Sequence, residues 1–269
     1  MITFPNAKIN LGLSVIGKRK DGMHEINTCI IPVPIYDIIE INRSESYNLK
    51  VTGPYADHIY NENLITKIWN VLIHRYPQID PVQVCLFKNI PIGSGLGGGS
   101  SDAAFFLKLL NDFYKLNIEI LEMEEICALI GSDCPLFIKN EPVIARGTGN
   151  KLSLINNPLT GYYLTIVYPE INISTKDAYS KVIPSGVELF GNKIPDHPIE
   201  WNSELKNDFE KYLFMDFPEL EEIKSVLYKS GAIFSSMSGS GSSIFAVSKS
   251  PLNFVSSFTG YRVFQFLIN

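Results

Sequence analysis

Residues 91–104 read Pro91-Ile92-Gly93-Ser94-Gly95-Leu96-Gly97-Gly98-Gly99-Ser100-Ser101-Asp102-Ala103-Ala104. Five glycines fall within seven residues, from Gly93 to Gly99, and two hydroxyls, a carboxylate and an apolar helical run follow. Glycine admits positive φ and lets a ligand approach the backbone. The first turn of a helix presents unpaired N–H groups and a partial positive charge. The combination predicts an anion site, above all for phosphate. A purely structural turn is a poor alternative, because so many glycines cost conformational entropy without a return.

Known nucleotide loops fit this stretch unevenly. A Walker A loop needs Lys-Ser/Thr after its last glycine, and Gly99 is followed by Ser100-Ser101. Gly93, Gly95 and Gly98 match GxGxxG, with Glu119 where a ribose-binding acid is expected. That fingerprint should open a βαβ unit, and only Ile118-Glu119-Ile120 is left for its second strand. The HRD and DFG sequences of a protein kinase are absent.

Outward from the loop, residues 7–15 alternate strictly and predict a half-buried strand with Lys8 and Asn10 on its polar face. Asp21-Gly22 marks a turn into a strand from His24 to Ile31, which Pro32 and Pro34 end or place at an edge. Residues 36–41, 48–52 and 82–86 read as strands, and 62–75, 100–113 and 121–130 as helices. Strands are expected at 143–145 and 164–168, separated by a Gly-, Asn- and Pro-rich stretch, 147–161. The remainder reads as helices at 175–183, 204–213 and 219–229, strands at 232–236 and 243–248, a short helix and a last strand at 261–267. This is an α+β pattern. The boundary placed in 147–161 divides the chain into an N-terminal domain, 1–155, and a C-terminal domain, 156–269.

The totals bound the function. A chain of 269 residues, 45% hydrophobic and 19% charged, has room for a substantial core. A net charge of −5 without a basic cluster argues against nucleic-acid or anionic-membrane partners. Cys29, Cys85, Cys127 and Cys134 form no CxxC pair and suit reduced thiols in a cytoplasmic protein. No run is long and apolar enough to cross a membrane. Lys8 and Asn10 interrupt any signal-peptide core.

Several residues carry chemistry only in combination. Lys8 alone is an ordinary strand lysine, and Asp133 in Gly131-Ser132-Asp133-Cys134-Pro135 an ordinary turn aspartate. Met237-Ser238-Gly239-Ser240-Gly241-Ser242-Ser243 is either a hairpin loop or a second loop that donates N–H groups to phosphate. His24, His58, His74 and His197 are scattered and suggest no metal site.

Taken together these pieces resemble the GHMP small-molecule kinases. Pro5-Asn6-Ala7-Lys8-Ile9-Asn10-Leu11 resembles their N-terminal motif, Pro91–Ala104 their central motif and Met237–Ser243 their C-terminal glycine motif. The order and separations agree over essentially the whole chain. Lys18-Arg19-Lys20-Asp21-Gly22-Met23-His24, Gly131–Pro135, Ile173-Ser174-Thr175 and Asn207-Asp208-Phe209-Glu210 are most similar to the branch acting on 4-diphosphocytidyl-2-C-methyl-D-erythritol. The resemblance implies an N-terminal domain like domain 2 of ribosomal protein S5 and a ferredoxin-like C-terminal domain, with ATP and substrate meeting between them. It implies transfer of the γ-phosphoryl of ATP to the substrate 2-hydroxyl, with Mg2+, in the non-mevalonate isoprenoid precursor pathway, by a monomer or homodimer.

By the same resemblance Lys8 and Asp133 are catalytic. Asp133 accepts or orients the hydroxyl proton, and Lys8 stabilises charge and keeps Asp133 ionised. Leu96, Gly97, Gly98, Gly99, Ser100 and Ser101 cradle the phosphates with backbone N–H groups, in a loop that includes Pro91, Gly93 and Gly95. Asn63, Lys88 and Asp102 lie by the adenosine. Asn10, Thr175, Gly239 and Ser240 hold the substrate, His24 reads its cytosine, Met23 packs beside it and Tyr179 stacks on it. Ser100 is the expected magnesium ligand, by analogy with hydroxyls in other phosphate loops.

Two positions depart from the family. Met23 stands where an aromatic residue is common, so cytosine contact is expected to be weaker or altered, although a thioether still packs on a ring. Asn150 stands where Glu is usual after Gly147-Thr148-Gly149, at the expected cost of a local hydrogen bond. The competing readings are a GHMP kinase for mevalonate, homoserine or a sugar, a nicotinamide oxidoreductase, and an inactive nucleotide-binding module. The oxidoreductase leaves Lys8, Asp133 and the second loop unexplained, and an inactive copy has no use for the Lys8–Asp133 pair.

Overall fold

The computed structural model describes residues 1–269 except 59–62, 192–193, 195–197, 199 and 254–257, and the side chains of residues 58, 202 and 203. The first half of the chain runs β1 (Ile2–Thr3), β2 (Asn6–Lys18), β3 (His24–Tyr36), β4 (Ile38–Arg43), β5 (Asn48–Thr52), α1 (Leu64–Arg75), β6 (Val82–Phe87), α2 (Gly98–Tyr114), α3 (Ile120–Ile130) and α4 (Leu136–Lys139). The second runs β7 (Val143–Gly147), β8 (Lys151–Leu154), β9 (Tyr163–Tyr168), α5 (Thr175–Lys181), α6 (Trp201–Glu204), α7 (Glu210–Asp216), α8 (Pro218–Lys229), β10 (Phe234–Met237), β11 (Ile244–Ser248) and β12 (Arg262–Leu267). The α+β class is as expected. His197 and part of the short helix expected before the last strand lie outside the described residues.

The chain forms two compact units that interleave in sequence. One comprises Met1–Lys8, Pro32–Ile92 and Gly97–Glu141, and the other Ile9–Ile31, Gly93–Leu96 and Pro142–Asn269. The division differs from a single cut at 155/156, because β2 and β3 each contribute residues to both units. The glycine loop is likewise divided, Gly93–Leu96 belonging to the second unit and Gly97 onward to the first.

In the first unit a sheet of order β1-β4-β6-β5 is antiparallel except for the parallel pair β5 and β6. Val82, Val84 and Leu86 are buried and Gln83 and Phe87 exposed, the period-2 pattern of a strand with one covered face. Helix α1 packs against α2 and α3. It buries Ile65, Ile68, Trp69 and Leu72 at helical spacing, as the periodicity predicts. Helix α2 buries Ala103, Ala104, Phe106, Leu107, Leu109 and Leu110. Burying each large apolar side chain contributes about 1.5–3 kcal/mol, which anchors the glycine-rich first turn to the core.

The second unit holds an antiparallel sheet of order β10-β11-β9-β12. Leu220, Ile223 and Leu227 of α8 share one core with Leu13, Val15, Val167, Phe209, Ile244 and Ala246. A third sheet has the order β2-β3-β7-β8.

The structure corrects four expectations. The first concerns β2, which is buried on both faces from Asn6 to Val15 rather than half-buried. Second, β3 continues through Pro32 and Pro34 to Tyr36. Both prolines lie beyond Ile30, the last residue paired with β7, so their missing N–H groups break no bond to that strand. Third, the Gly/Asn-rich stretch contains β8, which forms a hairpin with β7. Its Asn150, at the departure from the family pattern, accepts the Thr148 N–H at 3.3 Å. Fourth, the helix expected at 204–213 is two helices, α6 and α7. Asn207 breaks it by forming a parallel bridge to Leu13 while its side chain accepts the Phe209 N–H.

Candidate active site

In the first unit the N-terminus of α2 collects the expected charges. Gly97, with φ +73°, caps the helix, and a Cβ there would lie 3.0 Å from both Cγ and Cε of Lys8. Lys8 is only 4% exposed, and it comes from the supposedly solvated face of β2. Burial lowers the pKa of its ammonium, while the charge of Asp133 acts in the opposite direction. Asp133 sits, half-buried, in the turn after α3, where the Cys134 N–H bonds the Gly131 carbonyl at 3.1 Å. The structure therefore brings Lys8, Asp133 and the start of α2 together.

Two further residues, Cys134 and Lys108, lie at that turn and at α4. Burial pushes the Cys134 thiol pKa up to about 11, and the neighbouring Ser100 opposes the rise. Lys108 Nζ donates to the carbonyls of Phe137 at 2.9 Å and Ile138 at 3.3 Å, tying α2 to α4. Neither Cys134 nor Lys108 carries a sequence signal for this role. Both are recognisable only once α2, α3 and α4 are packed together.

Lys88 and Asp102, expected by the adenosine, are each 2% exposed and belong to a buried ion triad. Lys88 Nζ donates to Asp102 Oδ2 at 2.7 Å and to Asp37 Oδ2. Asp37 also accepts the N–H groups of Asn89 at 2.6 Å and Ile90 at 2.8 Å. Asp102 has less support, and its Oδ1 is buried without a hydrogen-bond partner. Burial raises the Asp102 pKa to about 8, Lys88 opposes the rise and the Asp37 charge adds to it. For Lys88, burial acts downward, but Asp102 and Asp37 together carry its pKa above the ordinary value. Sequence reading missed Asp37, which lies in no recognisable motif. Asn63 caps α1 by accepting the Ile65 N–H at 2.9 Å. A Cβ on Gly99 would meet only Leu64, at 4.0 Å, so the backbone there is open.

In the second unit two loops pack backbone to backbone. Gly95 has φ +78°, and a Cβ there would lie 2.0 Å from the Ser238 carbonyl oxygen, so no other residue fits. Ser238 Oγ donates to the Gly95 carbonyl at 3.0 Å and accepts the Asn10 N–H at 3.2 Å. The Ser243 N–H donates to the Ser94 carbonyl at 3.0 Å. Asn10 Nδ2 donates to Thr28 Oγ1 at 3.0 Å. Thr175 and Ser240 hydroxyls lie 3.3 Å apart, which joins the start of α5 to the Gly/Ser loop. Gly239 is buried within that loop, Pro91 is buried ahead of the first and Gly93 is exposed.

His24 and Tyr179 stack on one another, with ring centroids 4.9 Å apart and planes at 27°. Burial, followed by the Lys18 charge, lowers the His24 pKa, which favours the neutral ring. Met23 beside them is 49% exposed, and its N–H donates to Asp21 Oδ1 at 3.0 Å. Among the described residues no three His, Cys, Asp or Glu side chains cluster to hold a metal ion.

Residues 63–140 match the family model of the GHMP kinases N terminal domain, and residues 196–255 that of the GHMP kinases C terminal. A 4-diphosphocytidyl-2-C-methyl-D-erythritol kinase of Parabacteroides distasonis is 47% identical over 255 residues, 94% of each chain. The kinase of the same name from Persephonella marina is 37% identical over 90% of this chain and 89% of its own. A crystal structure of 4-(cytidine 5'-diphospho)-2C-methyl-D-erythritol kinase superposes with a TM-score of 0.77 at 32% identity, covering 93% of this chain and 91% of that one. The mevalonate kinase of Methanococcus jannaschii, at 18% identity and a TM-score of 0.66, shares the fold. The two-domain fold, the ordered motifs and this identity over nearly the full length place the chain in the 4-diphosphocytidyl-2-C-methyl-D-erythritol kinase family of the GHMP kinases.

Proposed function

We propose that this protein transfers the γ-phosphoryl group of ATP to the 2-hydroxyl of 4-diphosphocytidyl-2-C-methyl-D-erythritol, a step of the non-mevalonate isoprenoid precursor pathway. The observation that carries the reading is the meeting of Lys8 and Asp133 at the glycine-capped N-terminus of α2. Phosphoryl transfer asks for alignment and neutralised oxygens more than for covalent help. The N–H groups of Gly98, Gly99 and Ser100 have no acceptor within their own helix and suit phosphate oxygens. Asp133 accepts or orients the proton of the attacking 2-hydroxyl. The Lys8 ammonium, on a stem whose Cγ and Cε pack against Gly97, stabilises charge on the oxygens in transit. Asn63 and Gly99 frame the adenosine side, and the Lys88–Asp102 pair fixes the helix that carries the loop.

Magnesium fits the same loop in a limited way. With no carboxylate cage among the described residues, the ion would be held mostly by phosphate oxygens, with the half-buried Ser100 hydroxyl as the protein ligand. When bound it supplies Lewis-acid neutralisation of phosphate charge.

On the substrate side, Asn10, Thr175, Gly239 and Ser240 line the methylerythritol diphosphate, and His24, Tyr179 and Met23 take the cytosine. Since His24 and Tyr179 face each other, the base uses the outer face of the pair or parts the rings. The exposed Met23 thioether packs where a second aromatic face is absent. The enzyme works in the cytoplasm as a monomer or homodimer, and its four unpaired cysteines suit a reducing compartment. ADP release is measured with the cytidyl substrate beside mevalonate, homoserine and galactose at equal concentration with Mg-ATP. Turnover on the cytidyl substrate alone is expected. Turnover on another alcohol would retain the kinase and overturn the reading of His24, Met23 and Tyr179.

A further inference from the structure

Four consecutive residues, Asn207-Asp208-Phe209-Glu210, have no part in the transfer described above, yet they hold the second glycine loop, the end of β2 and the ring behind the His24–Tyr179 stack. Asn207 is 3% exposed and uses all its amide groups. Its Nδ2 donates to the carbonyls of Met237 and Gly239, each at 2.8 Å, and its Oδ1 accepts the Phe209 N–H at 3.0 Å. Its own backbone is pinned to β2, with Leu13 N–H to Lys206 carbonyl at 2.8 Å and Asp208 N–H to Leu13 carbonyl at 2.9 Å. Asp208 Oδ2 accepts the Val15 N–H and the Ser185 hydroxyl, both at 2.8 Å. The Phe209 ring meets Tyr179 edge-on, with centroids 4.9 Å apart and planes at 87°, behind the Tyr179–His24 stack. Glu210 Oε1 accepts the Met237 N–H at 2.7 Å and the Ser236 hydroxyl at 2.9 Å.

The two carbonyls that Asn207 holds belong to one turn of the Gly/Ser loop. A trans peptide is planar, with C=O and N–H pointing in opposite directions. Drawing the Gly239 carbonyl toward Asn207 therefore turns the Ser240 N–H of the same peptide away from it. The glycines let this turn rotate freely unless something fixes it. We propose that Asn207 is a positioning residue for phosphoryl transfer, setting the direction of the Gly239–Ser240 peptide, while Phe209 carries the same anchorage to the base-stacking ring. The proposal rests on the kinase reading above.

The test compares Asn207→Asp with Leu220→Ala. Asn207→Asp keeps the size of the side chain and the acceptor for Phe209 but loses both donors. Leu220 lies in the core of the same unit, outside the loop, and its truncation supplies a purely structural loss of stability. Amide hydrogen exchange over residues 237–241 and turnover of the cytidyl substrate are read on both variants. Asn207→Asp is expected to speed exchange in that segment by about tenfold or more, the scale of the two hydrogen bonds lost. It is expected to lower kcat roughly 100-fold, the scale of a misplaced reacting geometry. Leu220→Ala is expected to lower the melting temperature with loop exchange and kcat within about twofold of wild type, as it shares the core with Met237 but removes none of the hydrogen bonds that hold the Gly239–Ser240 peptide. Equal exchange and equal kcat in the two variants overturn the proposal. Should the carboxylate prevent folding, Asn207→Ser, which keeps one donor, is read in the same way. If the wild-type chain itself releases no ADP, the kinase reading falls, and the exchange arm alone decides whether Asn207 sets the loop.

Discussion

The two glycine loops are built from similar residues and held by opposite means. Gly97–Asp102 is anchored by charge, through the buried Lys88 between Asp37 and Asp102, with the stem of the buried Lys8 packed against Gly97. Met237–Ser243 is anchored mainly by neutral groups, the amide of Asn207, the hydroxyl of Ser238 on the Gly95 carbonyl and a backbone bond to Ser94. Glu210 bonds only its leading edge, paired with Lys224 at 2.6 Å. Buried charges are costly unless paired, and their balance changes with pH. Neutral hydrogen bonds contribute less individually and do not titrate. The loop assigned to ATP therefore carries the electrostatic burden, and the loop assigned to the sugar-alcohol side supplies shape.

Asp133→Ala should produce the largest effect, a loss of roughly two to four orders of magnitude in kcat with folding retained. Retained turnover in an ADP-release assay would remove Asp133 from the catalytic assignment. Next, Lys88→Met should destabilise the fold by about 3–5 kcal/mol, because it strands the buried Asp37 charge without its cation and takes a hydrogen-bond donor from Asp102. Urea unfolding measures this, and a cost near that of an exposed lysine would show that the triad does not anchor the loop. His24→Ala should raise the KM for the cytidyl substrate about tenfold and leave that for ATP nearly unchanged, since one stacked ring contributes on the order of 1 kcal/mol. Equal rises for both substrates would remove His24 from the base. Ser238→Ala should cost about 1 kcal/mol at any pH between 5 and 8, because the group lost does not titrate.

The smallest effect separates the loops most directly. The pKa of Asp102 in the folded chain is raised from 3.8 to about 8. The folded state thus keeps a proton that the unfolded state releases, so this group's contribution is full below about pH 4 and is lost as pH rises through about 8. Asp102→Asn should leave stability near neutral pH almost unchanged and flatten this decline. Urea midpoints at several pH values from 4 to 9 measure the slope, and an unchanged slope in the variant would assign the titration elsewhere.

Much of the fold is legible locally. The alternation of Val82, Val84 and Leu86, the helical spacing of Ile65, Ile68, Trp69 and Leu72, and the stop of α3 before Gly131 follow from short-range geometry. The break at Asn207 was not legible, because an isolated Lys206-Asn207-Asp208 continues a helix as readily as it ends one. What interrupts it is Leu13, 194 positions away, which offers a bridge only when the second unit is folded. Asp37 escaped notice for the same reason, since its partner Lys88 is 51 residues distant.

The sequence by itself determined the period of most strands and helices and the glycine-rich turns, while its resemblance to a family singled out Lys8, Asp133, His24 and Tyr179. The periods and turns depend on backbone sterics and on side chains within a few residues of one another. Tertiary structure alone decided that the polar face of β2 is buried, with Lys8 at 4% exposure and Asn10 bonded to Thr28. It also decided that His24 stacks on Tyr179, that Lys88 is shared by two carboxylates and that Asn207 holds the second loop. An alternating pattern specifies two faces but not what covers them. The covering comes from distant segments, and a polar group removed from water there must find its partner within the fold.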